Sequence, residues 1–233
     1  MLDGGRHHWH DISMRKIPFS AVALTFLFQG CLFSEEVPAE PESISLFDGQ
    51  TLAGWQPVVA THAKFWQVKD GMIYGYNVDE EGKSHSTYLV TTEQFDDFEL
   101  TFDFRLSGDP EKGVINGGMH YRTQHNGFQM KGYQADMGVN WWGGIYEEHG
   151  RNQLLKGDEK SLLAQENGFD HHGWHSYKIV CKGDSHQLFI DGILTADYTE
   201  QDATVPKKGV FGIQLHGAGH SQIEMKNVLL KKL

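Results

Sequence analysis

The side chains best suited to chemistry lie between Phe98 and Asp136, where three segments carry ionisable or amide groups at alternate positions. Side chains at alternate positions of a β-strand point to opposite faces, so each segment has one apolar and one polar face. If the three strands pair, their polar faces form one continuous wall of the kind that lines a sugar-handling cleft. The alternative is the solvated outer face of a β-sandwich. The polar members of this wall are Glu99, Thr101, Asp103, Arg105, His120, Arg122, Gln134 and Asp136.

Several of these groups are candidates for proton transfer. His120 is the first candidate base, because imidazole titrates near neutral pH; the alternative is a half-buried histidine satisfied by a neighbouring carboxylate. Asp136 could act as a base, orient His120 or ligate a cation, and Asp103 could take the same three roles. His216, which alternates with Leu215, is a second candidate base or acid.

Other polar groups suit binding. Gln134 and Gln214 are natural bidentate partners for sugar hydroxyls, and Arg122 could hold a hydroxyl or pair with Asp103 or Asp136 across the sheet. A divalent metal ion is an open question, because a shell of oxygen and nitrogen ligands would form if four side chains converge. No compact ligand motif supports that site. The four residues are His120, Asp136, Glu147 and His216.

A long connection spans roughly residues 139–173 and is too aromatic to be disordered. Long connections in compact domains are usually functional lids or disordered segments, so we expect a lid or an edge of the cleft. The two tryptophans could stack on sugar rings or simply pin the loop. One of the two glutamates should point into the cleft as a general acid, and we assign that role to the first. These residues are Trp141, Trp142, Tyr146, Glu147 and Glu148.

The elements that must position these residues are short strands separated by turn residues. Asp70-Gly71 and Asp191-Gly192 each lie between two alternating segments and predict tight hairpins. Many short strands with turns between them predict an all-β fold, a β-sandwich or jelly roll of two antiparallel sheets. The 27 glycines and the 14 Phe, 8 Tyr and 6 Trp agree with that class.

The charge and the N-terminal segment bear on partners and location. The formal net charge is −11 without a basic stripe, so neither nucleic acid nor an anionic membrane surface is an expected partner. Met14-Arg15-Lys16 precedes an apolar run to Phe28, which has the length of a secretory signal and is too short to span a bilayer permanently. Cys31 follows Gly30 as in a bacterial lipobox, which predicts lipidation of Cys31.

These features divide the chain into four parts. Residues 1–13 resemble an upstream extension from a misplaced start codon, and residues 14–31 form a signal peptide with a lipobox-like end. Residues 32–43 form an acidic linker, and residues 44–233 form one folded domain. We therefore expect an exported periplasmic or cell-envelope lipoprotein that reaches the membrane only through its lipid.

An ordered set of motifs between residues 44 and 233 resembles the 3-keto-disaccharide hydrolase family. Each motif is weak alone, and the order makes the set specific; Asp103 stands where the family commonly has Glu. The matching segments are 45–55 (SLFDGQTLAGW), 65–71 (FWQVKDG), 97–105 (DFELTFDFR), 116–122 (NGGMHYR), 132–136 (GYQAD), 144–151 (GIYEEHGR), 174–179 (WHSYKI) and 212–216 (GIQLH).

The resemblance implies a concanavalin-like jelly roll with a concave substrate face. It also implies action on glycosides whose sugar has been oxidised to a 3-ketone by a separate sugar 3-dehydrogenase. A 3-keto group makes the C2 proton acidic, so a base could form the enolate and expel the aglycone from C1, after which water adds. Such a site needs a base near C2, a donor or cation near the C3 oxygen and an acid near the leaving oxygen. His120 would be the base, and Arg122 would hold the C3 oxygen.

Two other functions fit the same sequence. A non-catalytic carbohydrate-binding module would use the polar wall to hold sugar without cleaving a bond. An ordinary retaining or inverting glycosidase would use a pair of carboxyl groups instead. The fold alone does not separate these possibilities.

Overall fold

The computed structural model describes residues 42–165 and 168–233; the predicted signal peptide, Cys31 and most of the predicted linker lie outside the described residues. Two 3₁₀ segments (Ala60–Phe65 and Pro110–Lys112) and one short helix, α1 (Glu159–Leu163), accompany the strands. The strands are β1 (Ile44–Ser45), β2 (Trp55–Pro57), β3 (Trp66–Lys69), β4 (Met72–Tyr76), β5 (Thr87–Thr91), β6 (Phe98–Asp109), β7 (Asn116–Asn126), β8 (Gln129–Gly138), β9 (Ile145–Glu148), β10 (Gln153–Lys156), β11 (His175–Lys182), β12 (Ser185–Ile190), β13 (Ile193–Thr199), β14 (Val210–Leu215) and β15 (His220–Lys232).

The strands form two antiparallel sheets. Sheet A has eight strands in the order β13-β12-β11-β6-β15-β4-β3, with β1 also paired to β15. Sheet B has seven strands in the order β10-β9-β8-β7-β14-β5-β2. The all-β, jelly-roll class predicted from the strand and turn pattern is therefore confirmed.

The hydrophobic core lies where the apolar faces of the two sheets meet. Alternate residues of β6, from Phe98 to Phe104, are buried, and so are Tyr121 of β7 and Tyr133 of β8. The rings of Tyr121 and Tyr133 stack with centroids 5.4 Å apart. Each large apolar side chain buried in this way contributes about 1.5–3 kcal/mol to folding. The opposite face of each sheet is thereby left for polar residues.

The two predicted hairpins are present. Asp70-Gly71 joins β3 to β4 and Asp191-Gly192 joins β12 to β13. All four residues have positive φ, at 52° and 75° in the first turn and 50° and 79° in the second. Two successive left-handed residues give the turn twist that matches paired strands, and Asp-Gly tolerates it best.

One expectation about the organisation needs correction. The three polar segments do not form one wall, because β6 belongs to sheet A while β7 and β8 pair in sheet B. The connection over residues 139–173, expected to be a lid or an edge of the cleft, contains β9, β10 and α1. Over residues 42–165 and 168–233, no helix combines the length and hydrophobicity needed to cross a membrane.

Candidate active-site cleft

A cleft of about 370 Å³ lies on the face of sheet B that points away from the core. Most of its lining comes from β8, β9 and β14 and from the turns that follow them. Polar side chains predominate, with two aromatic rings at one side. The lining residues are Val114, Asn116, Gln134, Asp136, Trp141, Tyr146, Glu148, His149, Asn152, Gln214, His216 and Ala218.

Strand alternation explains why these side chains converge. On β8, Gln134 and Asp136 line the cleft, while their neighbour Ala135 lies in the core. On β9, Tyr146 and Glu148 line the cleft between core-facing neighbours. Because β8 and β9 pair antiparallel, with Gln134 opposite Tyr146, the polar rows of the two strands lie side by side.

Glu148 is the carboxylate at the centre of this arrangement, and a buried histidine stands behind it. His120 Nε2 lies 3.0 Å from Glu148 Oε2. The His120 side chain is 0% exposed, whereas that of Glu148 is 18% exposed. Glu148 can therefore contact a ligand in the cleft, and His120 can act on that ligand only through Glu148.

Gln214 and Tyr88 hold the same carboxylate. Gln214 Nε2 donates to both carboxylate oxygens of Glu148, at 3.3 and 3.2 Å, and Tyr88 Oη donates to Oε1 at 3.3 Å. Gln134 donates its Nε2–H to the side-chain oxygen of Gln214. Burial raises the pKa of the Glu148 carboxyl, but hydrogen bonding and charge from His120 outweigh it, so the net shift is downward.

Asp136 is the second carboxyl group of the cleft, and its surroundings act in the opposite direction. Burial raises the pKa of the Asp136 carboxyl well above its usual range. A hydrogen bond from Asn116 opposes that rise, and the negative charge of Glu148 adds to it. The cleft therefore pairs a carboxyl group whose pKa is lowered with one whose pKa is raised, the arrangement typical of acid–base sites.

The rim of the cleft carries two exposed histidines. His216 Nδ1 accepts a hydrogen bond from the backbone N–H of Ala218 at 3.2 Å, which leaves Nε2 as the protonated nitrogen of the neutral ring. His149 has φ of 54°, and its Nδ1 lies 3.9 Å from Glu148 Oε1. Both imidazoles can thus donate to a ligand.

Glu147, to which we assigned the general-acid role, does not reach the cleft. It is 3% exposed and lies opposite the core residue Tyr133, and it accepts hydrogen bonds from the backbone N–H and the guanidinium of Arg151. Successive residues of a strand point to opposite faces, so only one of the two glutamates could enter the cleft. It is Glu148.

Arg122 also departs from its predicted place beside His120. The register between β7 and β8 shifts between Tyr121 and Gln124, and Arg122 has φ of 49°. This bulge turns the guanidinium away from the cleft. It donates instead to the backbone oxygens of Asp96 and Gly183, at 2.9 and 2.7 Å, and to Asp97 Oδ1 at 2.7 Å. Arg122 therefore joins the end of sheet B to the end of sheet A.

Asp103 and Trp142 are the other two predicted site residues that lie elsewhere. Asp103 is on β6 in sheet A, where it accepts a hydrogen bond from Asn227 at 2.6 Å. Trp142 is 1% exposed and packs edge-on against Phe169, with ring centroids 5.0 Å apart. It pins the segment after β8, the alternative role that its sequence context allowed. Trp141, by contrast, lines the cleft beside Tyr146, with ring centroids 5.9 Å apart.

The proposed metal shell does not assemble from its four residues, because Glu147 faces away from the cleft and His120 is engaged by Glu148. Within the described part of the chain, no three His, Cys, Asp or Glu side chains are grouped so as to hold a metal ion. The two carboxyl groups of the cleft and its histidines instead suit proton transfer and hydrogen bonding.

Sequence reasoning missed Asn116, His149 and Asn152 as lining residues. Asn116 could have been predicted, because it lies an even number of residues before His120 on the same strand and alternation therefore places both on one face. His149 and Asn152 sit in the turn between β9 and β10, and both have positive φ, at 54° and 52°. Turn conformations of this kind do not follow from a period of two, so the pattern could not place those side chains.

Comparison with known proteins agrees with this fold. The crystal structure of a protein from Parabacteroides distasonis, described as a putative glycosyl hydrolase, superposes with a TM-score of 0.56 at 21% identity. The match covers 82% of this chain and 94% of that one. A carbohydrate-binding module, CBM66, from Bacillus subtilis gives 0.56 at 17%, covering 77% and 96%. A β-glucanase from Bacillus licheniformis gives 0.55 at 11%, covering 84% and 99%. These similarities concern the fold.

At the level of sequence, no curated protein gives a significant match. The sequence profile of the 3-keto-alpha-glucoside-1,2-lyase-like domain matches residues 42–231, which include every residue that lines the cleft.

Proposed function

Because the chain belongs to the 3-keto-alpha-glucoside-1,2-lyase-like domain family, we propose that it cleaves the glycosidic bond of 3-keto-glycosides. The family resemblance inferred from the ordered motifs is confirmed, and it makes the chain a carbohydrate-active, glycosyl hydrolase-like domain. The observation that carries the finer proposal is the pair of carboxyl groups in one cleft, with the pKa of Glu148 lowered and that of Asp136 raised.

Glu148 is the general base of this proposal. Its carboxylate takes the proton from C2 of the 3-keto sugar, and the electron pair of the broken C–H bond moves toward the C3 carbonyl to form an enolate. Electrons of the enolate then form the C1=C2 bond while the C1–O bond to the aglycone breaks. The leaving oxygen is bonded to C1, the neighbour of C2, so Glu148 can pass the proton that it took from C2 to this oxygen. Water added across C1=C2 restores the 3-keto sugar.

Asp136 stabilises the enolate. A carboxyl group that stays protonated can donate a hydrogen bond to the C3 oxygen, where negative charge develops in the transition state. Asn116 lines the cleft together with Asp136, and its side chain donates to the backbone oxygen of Met137 at 3.1 Å. Gln134, His216 and Trp141 remain as substrate-binding groups, the first two through hydrogen bonds and the last through its ring face. His120 positions and polarises Glu148 without contacting the sugar.

The place of action is part of the proposal. The apolar run after Met14 and the lipobox-like Cys31 support export to the periplasm or cell envelope with a lipid anchor. The chemistry also requires a partner reaction, since a sugar acquires its 3-ketone only by oxidation. A separate sugar 3-dehydrogenase would supply the substrate.

The decisive assay offers the purified protein a 3-keto-glucoside and the matching unoxidised glucoside. We expect release of the aglycone from the first compound only, because the unoxidised sugar has no acidic C2 proton. Glu148→Gln should lower kcat by 10²-fold or more, roughly the usual contribution of a general base. Glu93→Gln, an exposed control outside the cleft, should leave kcat unchanged.

Two outcomes would contradict the proposal. Cleavage of the unoxidised glucoside would indicate an ordinary glycosidase acting through the same two carboxyl groups. Sugar binding without consumption of either compound would indicate a non-catalytic binding module.

A further inference from the structure

A second cavity, of about 440 Å³, adjoins the cleft at the carboxylate of Glu148. Glu148 and His149 line both cavities, so the two meet at these residues. Its remaining lining comes from the 3₁₀ segment Ala60–Phe65, the start of β5 and the tip of the β7–β8 hairpin. Those residues are His62, His85, Ser86, Tyr88 and Phe128.

The position of Glu148 decides what each cavity would hold. This step rests on the proposed function, in which the bond to be cleaved lies beside Glu148. The cleft holds Asp136, the partner assigned to the C3 oxygen, so the 3-keto sugar occupies the cleft. The aglycone must then leave on the other side of Glu148, and the second cavity is there. Two other cavities share a residue with the cleft, one at Val114 and one at His149, but neither is lined by Glu148.

The walls of the second cavity consist largely of rings. His62 packs against Phe128 with centroids 4.8 Å apart and against Phe65 at 4.9 Å. Tyr88 lies 6.4 Å from Phe128, centroid to centroid. Phe128 itself is 42% exposed at the hairpin tip, so part of its ring is open to a ligand. Ring faces and edges arranged in this way favour a planar ring as ligand.

The polar atoms of these walls are largely committed to the protein. His85 Nε2 is bound to Asp79 at 2.6 Å, and the hydroxyl of Tyr88 donates to Glu148. Ser86 Oγ accepts the backbone N–H of Gly217 at 3.1 Å. A second sugar would bring several hydroxyls that need partners, and desolvating them without partners is unfavourable. The cavity therefore suits a ligand with few polar groups.

Two imidazoles of these walls, those of His149 and His62, are less fully engaged by the protein. His62 Nδ1 is buried and has no hydrogen-bond partner among the residues that the structure describes. Burial lowers the pKa of His62, and the nearby His85 and Lys64 lower it further, so the ring is neutral near pH 7. A neutral imidazole adds a ring to the wall without the charge that would attract an anionic aglycone.

From this geometry we propose that the second cavity is an aglycone subsite for aromatic groups, and that the preferred substrates are 3-keto-glycosides of phenolic compounds. Phe128 is the specificity-determining residue, because among the residues that line the subsite it is the one with a purely hydrocarbon side chain. The preference distinguishes these substrates from 3-keto-disaccharides, whose second sugar would find few free partners there.

The test compares kcat/KM for three substrates: phenyl 3-keto-glucoside, methyl 3-keto-glucoside and a 3-keto-disaccharide, each supplied as both anomers. Phe128→Ala should lower the value for the phenyl compound by about tenfold, the order expected for one lost ring contact. The values for the methyl compound and the disaccharide should change less than about twofold. Comparing one substrate between variants cancels the different leaving abilities of phenol and methanol.

Gln129→Ala, at an exposed position of the same hairpin, is the matched control and should alter none of the three values. An equal loss on the phenyl and methyl compounds, or a tenfold loss on the disaccharide, would overturn the aromatic subsite while leaving the proposed function intact. If the wild-type protein cleaves none of the three substrates, the proposed function itself is overturned.

Discussion

At the scale of single residues, the cleft places two carboxyl groups in surroundings that move their pKa values apart. Glu148 accepts hydrogen bonds from Gln214 and Tyr88 and lies 3.0 Å from His120 Nε2, and these neighbours favour its ionised form. Asp136 is buried with a single amide partner, which favours its protonated form. One carboxyl group can therefore accept a proton at a pH where the other still holds one.

Substitutions of Asp136 test whether it acts as a hydrogen-bond donor. An asparagine keeps a donor at the same position, so Asp136→Asn should retain kcat/KM within about tenfold of the wild type. Asp136→Ala removes the donor and should cost about 10²–10³-fold, as for an oxyanion-hole group. Steady-state kinetics on a 3-keto-glucoside measure both values. An asparagine variant as inactive as the alanine variant would show that Asp136 must itself transfer a proton.

The pH profile of the same variants follows from the two shifts. Glu148 must be ionised, and its pKa is lowered, so activity should fall with acid only below about pH 4.5, its ordinary value. Asp136 must be protonated, and its pKa is raised, so activity should also fall as alkali removes that proton. The alkaline fall should be absent in Asp136→Asn, whose amide does not titrate.

At the scale of elements, the sequence predicted the strands well and their partners poorly. Alternation on β8 correctly put Gln134 and Asp136 on one face. The same alternation on β6 could not reveal that Asp103 belongs to the other sheet, because a period of two is identical in both sheets. The predicted position of Arg122 was wrong for a local reason. A bulge inserts one residue into the strand, and every residue after it then points to the opposite face from the one that alternation predicts. The choice between Glu147 and Glu148 likewise needed the register of β9 on β8.

The turn between β9 and β10 depends on an ion-pair network on the core side of sheet B. Arg151 binds Glu147 on β9 and Glu200 after β13, the latter at 2.6 Å. Tyr133 of β8 also donates to Glu200, at 2.7 Å. Burial raises the pKa of Glu200, but the hydrogen bonds from Arg151 and its other partners outweigh it and lower the pKa to about 2. The network holds the turn that carries His149 and Asn152 to the cleft.

Removing Arg151 should therefore destabilise the fold. Arg151→Ala leaves Glu147 and Glu200 buried without their cation, and we expect the free energy of unfolding at pH 7 to fall by about 2 kcal/mol, discounted for the partial exposure of Arg151. The folded pKa of Glu200 lies below its ordinary 4.5, so its contribution is present above pH 4.5 and is lost as the pH falls toward 2. Urea unfolding should show that the difference in the free energy of unfolding between wild type and variant becomes smaller as the pH falls from 4.5 toward 2.

The control for this variant is an ion pair on the outer face of sheet A. Arg105 pairs with Glu224, but its side chain is 40% exposed. Arg105→Ala should cost less than about 1 kcal/mol, as for most solvated pairs. Equal costs at the two arginines would mean that the network around Glu200 has no special structural role.

At the scale of the whole molecule, membrane attachment should depend on one cysteine. The net charge of −11 disfavours adsorption to an anionic bilayer, so we propose that stable attachment comes from acyl chains on Cys31. Cys31→Ser should move the protein from the membrane fraction to the soluble fraction of the cell envelope. Cys181→Ala is the matched control, because Cys181 is 0% exposed in the core and cannot be acylated there. Soluble wild-type protein, or membrane attachment that survives Cys31→Ser, would contradict lipidation without affecting the proposed chemistry, since every group assigned to the cleft lies within residues 42–231.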